Sequence, residues 1–449
     1  MKNFIYRGRV VSTVGFFGLG SSNEALLRHL SSLYPHLSFI LRSDREIPSP
    51  PWAKATLTRG GARENFFEDV LFLSPSVRRD APEFKAAEKC GLIISSDIEF
   101  FFESKKIPIY AITGSDGKST TTALTSLILG ENEYPPSANY GNPISDLLSD
   151  GSVLGTVAEL SSFQLMDFTY SAQRALITNI SQNHLDWHKS MDEYVCAKEN
   201  LIRFSEKKIF NFDCPYSRAL LERYPAFSIF SSEKSYREIE KVAPANHYFT
   251  VEDGCVCHSG RHLFHVSEIS LRGEHNLKNL LAAAAMTVEL RDADALLRAA
   301  RSFSGLRHRC EIVFERGGVT FLDSSIDSTP ARTKTTLKEI TSPTVLILGG
   351  RGKGLSYKEL LPLPSCLCAV IITGENRLEI FDAISHDAHG IKITVEEDFE
   401  RAVILAIRSA KEGDNVLLSP ASTSYDRFSN YKERASFFKE TIKNYYAGK

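Results

Sequence analysis

A succession of short apolar runs, each bounded by turn residues, recurs along this 449-residue chain. They include VGFFGLG (14–20), VLFLS (70–74), GLIIS (91–95), IPIYAITG (107–114), TVAELS (156–161), ALITNIS (175–181), TVLILGG (344–350), AVIITG (369–374) and NVLLSP (415–420). Several lack the in–out alternation of a strand with one wet face. Such runs suit strands covered by helices on both faces, so the predicted fold class is α/β with mainly parallel sheets. Helical periodicity between them predicts helices over 23–33, 119–129 and 277–289. A chain this long exceeds what one hydrophobic core serves. Ser104-Lys105-Lys106 with Pro108 marks one seam, and a helical region that ends around 302–307 marks another. Three domains are expected, over 1–106, 107–304 and 305–449.

The 53 Lys and Arg nearly balance the 55 Asp and Glu, for a formal net charge of −2. No bulk field draws the chain to nucleic acid or a membrane surface, which leaves small molecules as the expected partners. The eight cysteines are scattered, and the one-residue gap in Cys255-Val256-Cys257-His258 does not fit zinc spacing. They read as reduced thiols of a reducing compartment. The start, MKNFIYRGRVV, lacks a signal-peptide core, and no apolar run reaches the ~20 residues of a membrane span. A cytoplasmic protein is expected.

The stretch AITGSDGKST (111–120) lies between a buried strand and a helix that opens on hydroxyl residues. The strict phosphate-loop pattern, G-x-x-x-x-G-K-[ST], would need glycine at 112, where the chain has isoleucine. Gly114 and Gly117 still free backbone N–H groups to approach an anion, and the helix N-terminus adds its positive dipole end. Lys118 can neutralise phosphate charge, and the hydroxyl of Ser119 or Thr120 can reach Mg²⁺. The plain alternative is a surface turn with an exposed lysine.

The sequence T-G-S-D-G-K-S-T resembles the shortened phosphate loop of the Mur ligases and folylpolyglutamate synthases, which use ATP to join an amino acid to a carboxylate. Further segments resemble the same family in order: VAELSSFQL (157–165), TNISQNHLDWH (178–188), YVCAKENL (194–201), GEHNLKN (273–279), GLRHRCE (305–311), GGRGKG (349–354) and SPASTSYDRFSNYKERASFF (419–438). The last of these, with GLGSSN (18–23) and SPSVRRDAPEF (74–84), resembles the D-glutamate-adding members in particular. The resemblance implies a Rossmann-like N-terminal domain that binds the UDP substrate. It also implies a central P-loop ATPase-like domain and a C-terminal Rossmann-like domain that binds the amino acid. The implied reaction joins D-glutamate to UDP-N-acetylmuramoyl-L-alanine in a monomer, without nucleic acid or membrane.

The resemblance also implies residue roles. Gly114, Ser115, Asp116, Gly117, Lys118, Ser119 and Thr120 would hold the ATP phosphates, with Asn276 on adenine and Arg309 facing the phosphates. Ser119 and Glu159 would bind one Mg²⁺. His184 and a CO₂-carbamylated Lys198 would bind a second, so Lys118, His184 and Lys198 are the catalytic candidates. Read without the resemblance, Glu159 is a strand-end carboxylate, His184 a loop histidine and Lys198 a solvent-facing helix lysine. Asp186 and His188 take supporting roles. Gly20, Ser21, Ser22, Ser43, Asn139, Ser161 and His184 would contact the UDP substrate, and the stretch 41–44 its uracil or ribose. Asn23 stands where a dinucleotide fingerprint needs its third glycine, so an NAD reading is weak.

Lys353, Ser424 and Tyr431 would contact the incoming glutamate. Tyr425, Phe428, Tyr431, Ala435, Phe438 and Ile442 recur at helical steps, which predicts a helix from 425 whose N-terminus follows Ser419–Ser424. The chain departs from the family after the strand reading VTFLD. Aligning on Pro330-x-Arg332-Thr333 puts Ser324 where a nucleotide-binding aspartate is usual and Asp323 one place early, with atypical Ile326 and Asp327 beyond. Beside a sister or folate-type ligase, these departures keep open a non-catalytic nucleotide-binding paralogue, and the first domain keeps open an NAD enzyme.

Overall fold

The computed structural model describes residues 3–43, 55–58, 64–185, 187–270, 273–352, 354–387 and 390–447. Asp44, Asp186 and Lys353 lie outside the described residues. The chain divides into two compact units, Met1–Phe303 and Ser304–Lys449. Among the described residues, three larger sheets organise it as three α/β domains, two in the first unit and one in the second, beside a two-stranded ribbon of Phe4–Tyr6 and Arg9–Val11.

The first sheet has five parallel strands in the order Ala55–Thr58, Ser38–Arg42, Thr13–Phe17, Val70–Leu73, Ile93–Ser95. Its order reverses at Thr13–Phe17, so a switch point lies where that strand and Val70–Leu73 end side by side. The central sheet has nine strands, of which the seven from Ala245–Glu252 to Pro136–Ala138 are parallel. Cys255–His258 and Arg261–His265 add an antiparallel edge. In the second unit, five parallel strands carry an antiparallel edge strand, Glu311–Arg316.

Burial on both faces explains the unbroken apolar runs. In Ile109–Thr113, Ile109 and Ala111 enter one core while Tyr110 and Ile112 enter another, and all four are at most 5% exposed. Val345 and Ile347 part from Leu346 and Leu348 in the same way. Each large side chain so buried contributes about 1.5–3 kcal/mol. Helices Lys118–Leu129 and Glu274–Thr287 cover one face of the central sheet, and Met191–Phe204 covers the other.

The C-terminal helix differs from expectation. It spans Tyr431–Ala447, so Tyr425 and Phe428 precede it. Phe428 is buried from the preceding loop against Phe399 and Phe437, and Tyr425 is 61% exposed. Their helical spacing was therefore coincidental, and the Ser419–Ser424 stretch does not sit at a helix N-terminus. The thiols Cys90, Cys196, Cys214, Cys255, Cys257, Cys310, Cys366 and Cys368 are all free. Among the described residues, no helix is long and apolar enough to cross a membrane.

Candidate functional site

The strand Ile109–Thr113 ends beside Thr156–Glu159 and Arg174–Ile177, whose registers pair Ile112 with Glu159 and Thr113 with Ile177. Parallel α/β sheets present ligand sites at such strand ends. The turn 114–117 leaves this edge and delivers the helix Lys118–Leu129. Its two glycines are required. Gly117 caps the helix at φ 78°, where an added Cβ would stand 2.2 Å from Asn279 Oδ1. Gly114, at φ 151°, would bring a Cβ to 1.9 Å from Thr178 Oγ1. The segment 178–181 holds the turn from outside: Ser115 N donates to Asn179 O at 2.9 Å, Asp116 N to Asn179 Oδ1 at 2.9 Å, and Thr178 Oγ1 to Asp116 O at 2.6 Å. Lys118 Nζ donates to Ser115 O at 2.7 Å, across the turn. Ser119 and Thr120 follow, half-buried in the helix's first turn.

Lys198 is not the solvent-facing lysine of the plain reading. It is 1% exposed, and its Nζ donates to Gly114 O at 2.8 Å. Burial, reinforced by the Lys118 charge and opposed by Glu159 and Asp116, holds its amine well below the ordinary lysine range. Tyr194, four residues earlier on the same helix face, ties the site together. Its hydroxyl meets Ser115 Oγ at 2.8 Å, its ring lies 4.6 Å from Lys198 Nζ, and His184 and His188 flank it at 6.5 and 5.2 Å. Glu159 is 5% exposed, and its Oε2 is buried without a hydrogen-bond partner. A carboxylate oxygen in that state suits a cation, so the donor set here fits Mg²⁺.

His184 sits at φ 55°, its ring 5.0 Å from Phe163. Trp187 N and His188 N both donate to its carbonyl. His188 is buried, with Nε2 at 2.9 Å from Ser162 Oγ, and burial lowers its pKa. Asn139 is exposed beside the same edge, its N–H donating to Glu159 O at 3.2 Å. Ser161 closes a turn on Gln164 Oε1 at 3.0 Å. Asn276 lies inside the first turn of Glu274–Thr287, whose N-cap is Gly273.

At the first sheet's switch point, Gly20 caps the helix Ser21–Leu33 and leaves Ser21 exposed and Ser22 half-buried. Asn23 turns inward instead, donating to Gly18 O at 2.7 Å and Phe72 O at 3.3 Å. Ser43 follows the neighbouring strand. Arg42 before it is fully buried in an ion pair with Glu68, so its charge is spent inside the domain.

In the second unit, Arg309 is exposed. Asp323 and Ser324 are both fully buried. Burial works against the Asp323 charge, but hydrogen bonds from His308, 2.8 Å away, and from Ser325 outweigh it and hold the pKa low. Ser324 N donates to Leu418 O at 2.8 Å. Tyr431 packs edge-on against His308 at 5.5 Å. His308, Glu311 and Asp323 cluster like metal ligands, but Lys439 Nζ, 3.0 Å from Glu311 and 4.0 Å from Asp323, supplies the positive charge there. Ser424 is 3% exposed. The sequence reading missed Tyr194, Thr178, Asn179 and Asn279 as supports of the turn. The four-residue step from Tyr194 to Lys198 was the one signal available for any of them.

The fold and this edge define a three-domain α/β protein whose central domain carries a phosphate-loop-like turn over a buried lysine. Residues 112–287 match the Mur ligase middle domain, and residues 308–422 match the Mur ligase glutamate ligase domain. The UDP-N-acetylmuramoylalanine–D-glutamate ligase of Acetivibrio thermocellus is 36% identical, over 83% of this chain and 82% of its own length. The ligase of that name from Clostridium tetani is 33% identical, over 99% of this chain and 98% of its own. The crystal structure of the UDP-N-acetylmuramate–alanine ligase of Thermotoga maritima, 20% identical, superposes with a TM-score of 0.56 and covers 97% of this chain and 100% of that one. The chain belongs to the Mur ligase family.

Proposed function

We propose that the chain is an ATP-dependent ligase that forms the amide bond between UDP-N-acetylmuramoyl-L-alanine and D-glutamate in peptidoglycan precursor synthesis. The observation that carries this reading is agreement, at 33% identity over 99% of the chain, with a ligase of that name. The buried Lys198 and the unpartnered Glu159 oxygen at the cradle support it.

In this reaction the substrate carboxylate takes the terminal phosphoryl of ATP, and ADP leaves. The amine of D-glutamate then attacks the acyl phosphate, losing a proton as phosphate departs. Two anions must meet in the first step, so positioning and charge compensation dominate the catalysis. The N–H groups that open the helix at 118–120 and the Lys118 side chain grip the phosphates, while Asn179 holds Ser115 N and Asp116 N in place. Mg²⁺ supplies further charge compensation; Ser119 and Glu159 would hold one ion, and His184 with Lys198 a second. Burial disfavours the charged form of the Lys198 amine, which would add to CO₂ with loss of a proton and leave a carbamate anion as its ligand group.

Residues 1–106 take the UDP substrate through Gly20, Ser21, Ser22 and Ser43, with Asn139 and Ser161 from the next domain. Residues 107–304 take ATP, with Asn276 on adenine. Residues 305–449 take D-glutamate through Lys353, Ser424 and Tyr431; Asp323 and Ser324, fully buried within that unit, make no nucleotide contact. The protein works as a cytoplasmic monomer. The test is phosphate release by the purified chain with ATP, Mg²⁺, UDP-N-acetylmuramoyl-L-alanine and each of several amino acids. Release that depends jointly on the UDP substrate and D-glutamate is expected. Release with a different amino acid would make it a sister ligase, and none at all a nucleotide-binding paralogue.

A further inference from the structure

The segment SPSVRRDAPEF (74–84) resembles the D-glutamate-adding ligases, yet the site described above uses none of its side chains. Its first residue lies at the switch point of the first sheet. Ser74 N donates to Phe17 O at 2.9 Å, and a Cβ on Gly18 would stand 3.0 Å from Ser74 Cβ. Two to six residues further on, the same segment grips the loop that carries His184. Arg78 Nη1 donates to Trp187 O at 2.6 Å, Nη2 donates to Glu193 Oε1 at 3.0 Å, and the guanidinium lies 4.7 Å over the Trp187 ring. Trp187 Nε1 donates to Ser76 O at 3.1 Å, and Lys189 Nζ donates to Asp80 Oδ2 at 2.8 Å. Asp80 also fills the other edge of the Arg78 fork, at 2.8 Å from Nε and Nη2.

Isolated surface ion pairs contribute little. This one is partly buried, with Arg78 21% and Glu193 18% exposed, and it includes a backbone carbonyl that a lone lysine would not hold in the same geometry. The contacts continue inward. Glu193 Oε2 accepts from Lys189 N at 2.7 Å and lies 3.6 Å from His188 Nδ1. His188 reaches Ser162, three residues past Glu159. Trp187 N and His188 N donate to His184 O at 3.1 and 2.9 Å, which closes the turn that sets His184 at φ 55°.

We infer that Arg78 is a positioning residue for His184: it latches the loop leaving the first sheet's switch point onto the turn that aims the histidine. This rests on the proposed metal role of His184. The latch makes the proposed metal geometry depend on the first-sheet domain.

The full-length protein tests this with Arg78→Ala, Arg78→Lys and His184→Ala. The measurements are the Mg²⁺ concentration for half-maximal phosphate release and, independently of turnover, Mn²⁺ affinity by calorimetry with a non-hydrolysable ATP analogue and the UDP substrate. Arg78→Ala removes charge-assisted bonds, so the half-point should rise about 5- to 30-fold and Mn²⁺ affinity fall to match. The KM for ATP should change by less than about 2-fold, because the phosphate turn is untouched. Arg78→Lys keeps the charge but not the fork and should give an intermediate shift; it carries the test if the alanine variant misfolds. If His184→Ala moves the half-point and the Arg78 variants do not, the latch is overturned while the metal role stands. If none of them moves it, the metal role falls and the latch with it. Lowered thermal stability with unmoved metal affinity makes Arg78 structural only and also overturns the inference.

Discussion

Gly117→Ala isolates the feature on which the proposed phosphate binding depends. Two independent penalties follow from its geometry. Alanine at φ 78° enters the left-handed region, at a cost of about 1–2 kcal/mol. Its Cβ would lie 2.2 Å from Asn279 Oδ1, so Asn279 or the turn must move. Asn279 is 7% exposed and accepts from Thr121 Oγ1 at 3.3 Å, and yielding strains or breaks that bond, worth about 0.5–1.5 kcal/mol. A total destabilisation of about 1.5–3.5 kcal/mol is expected in urea unfolding followed by tryptophan emission and far-ultraviolet dichroism. ATP affinity measured by calorimetry should fall at least about 10-fold, because the displaced turn carries Lys118 and Ser119. Gly20→Ala is the control, since nothing lies within 4 Å of its added Cβ and its φ is −88°. The double variant Gly117→Ala/Asn279→Ala should recover the steric part and retain the backbone part, so the two changes will not add. A single variant with wild-type stability and wild-type ATP affinity would refute the reasoning.

Other perturbations follow from the same contacts. Arg42→Met strands the Glu68 carboxylate in a dry interior, so chemical unfolding should report a loss of about 3–5 kcal/mol, whereas the double change to Met and Leu should recover most of it. Lys198→Met should change the pH dependence of stability in a fixed direction. The folded amine has a pKa below 10.5, so between the two pKa values the unfolded chain binds more protons and wild-type stability rises with pH; the variant should lack that rise, and its relative advantage should vanish above about pH 10.5. Melts in CO₂-free buffer across that window check this. Lys198→Ala should lose ligation and regain part of it with added short carboxylates, measured as phosphate release; full activity without them would contradict the carbamate.

How much of this could be read from sequence depended on whether the signal was local. Strands such as Ile109–Thr113 and Thr344–Gly349 were legible because both faces are buried and the run is apolar throughout. Lys207–Asn211, Ala226–Phe230 and the edge hairpin Cys255–His265 were not, because their lysines, histidines and serines dilute the pattern. Gly114 and Gly117 announced the turn, but its supports lie 60 to 165 residues away, at Thr178, Asn179 and Asn279, and only the folded sheet brings them in. The stretch from Tyr425 to Tyr431 misled because Phe428 reaches the core from a loop at a spacing a helix would also give. Arg42 looked like a ligand reader at a strand end, yet Glu68 claims it 26 residues later.

The two lysines of the site make one electrostatic arrangement. Lys118 stands close enough to Lys198 to depress its pKa, so a charged Lys198 would add a second cation beside the first in a place that burial already penalises. Neutral, the amine has a free lone pair, which is what addition to CO₂ requires. A carbamate there would be an anion, and the neighbour that disfavours the ammonium would stabilise it. On that proposal the modified side chain would join Glu159 in offering negative charge to a cation. An arginine at 198 would defeat this, since its guanidinium keeps its proton and adds no CO₂. Lys198→Arg should therefore be as inactive as Lys198→Ala and, unlike it, gain nothing from added carboxylates, because the arginine side chain fills the space they would occupy.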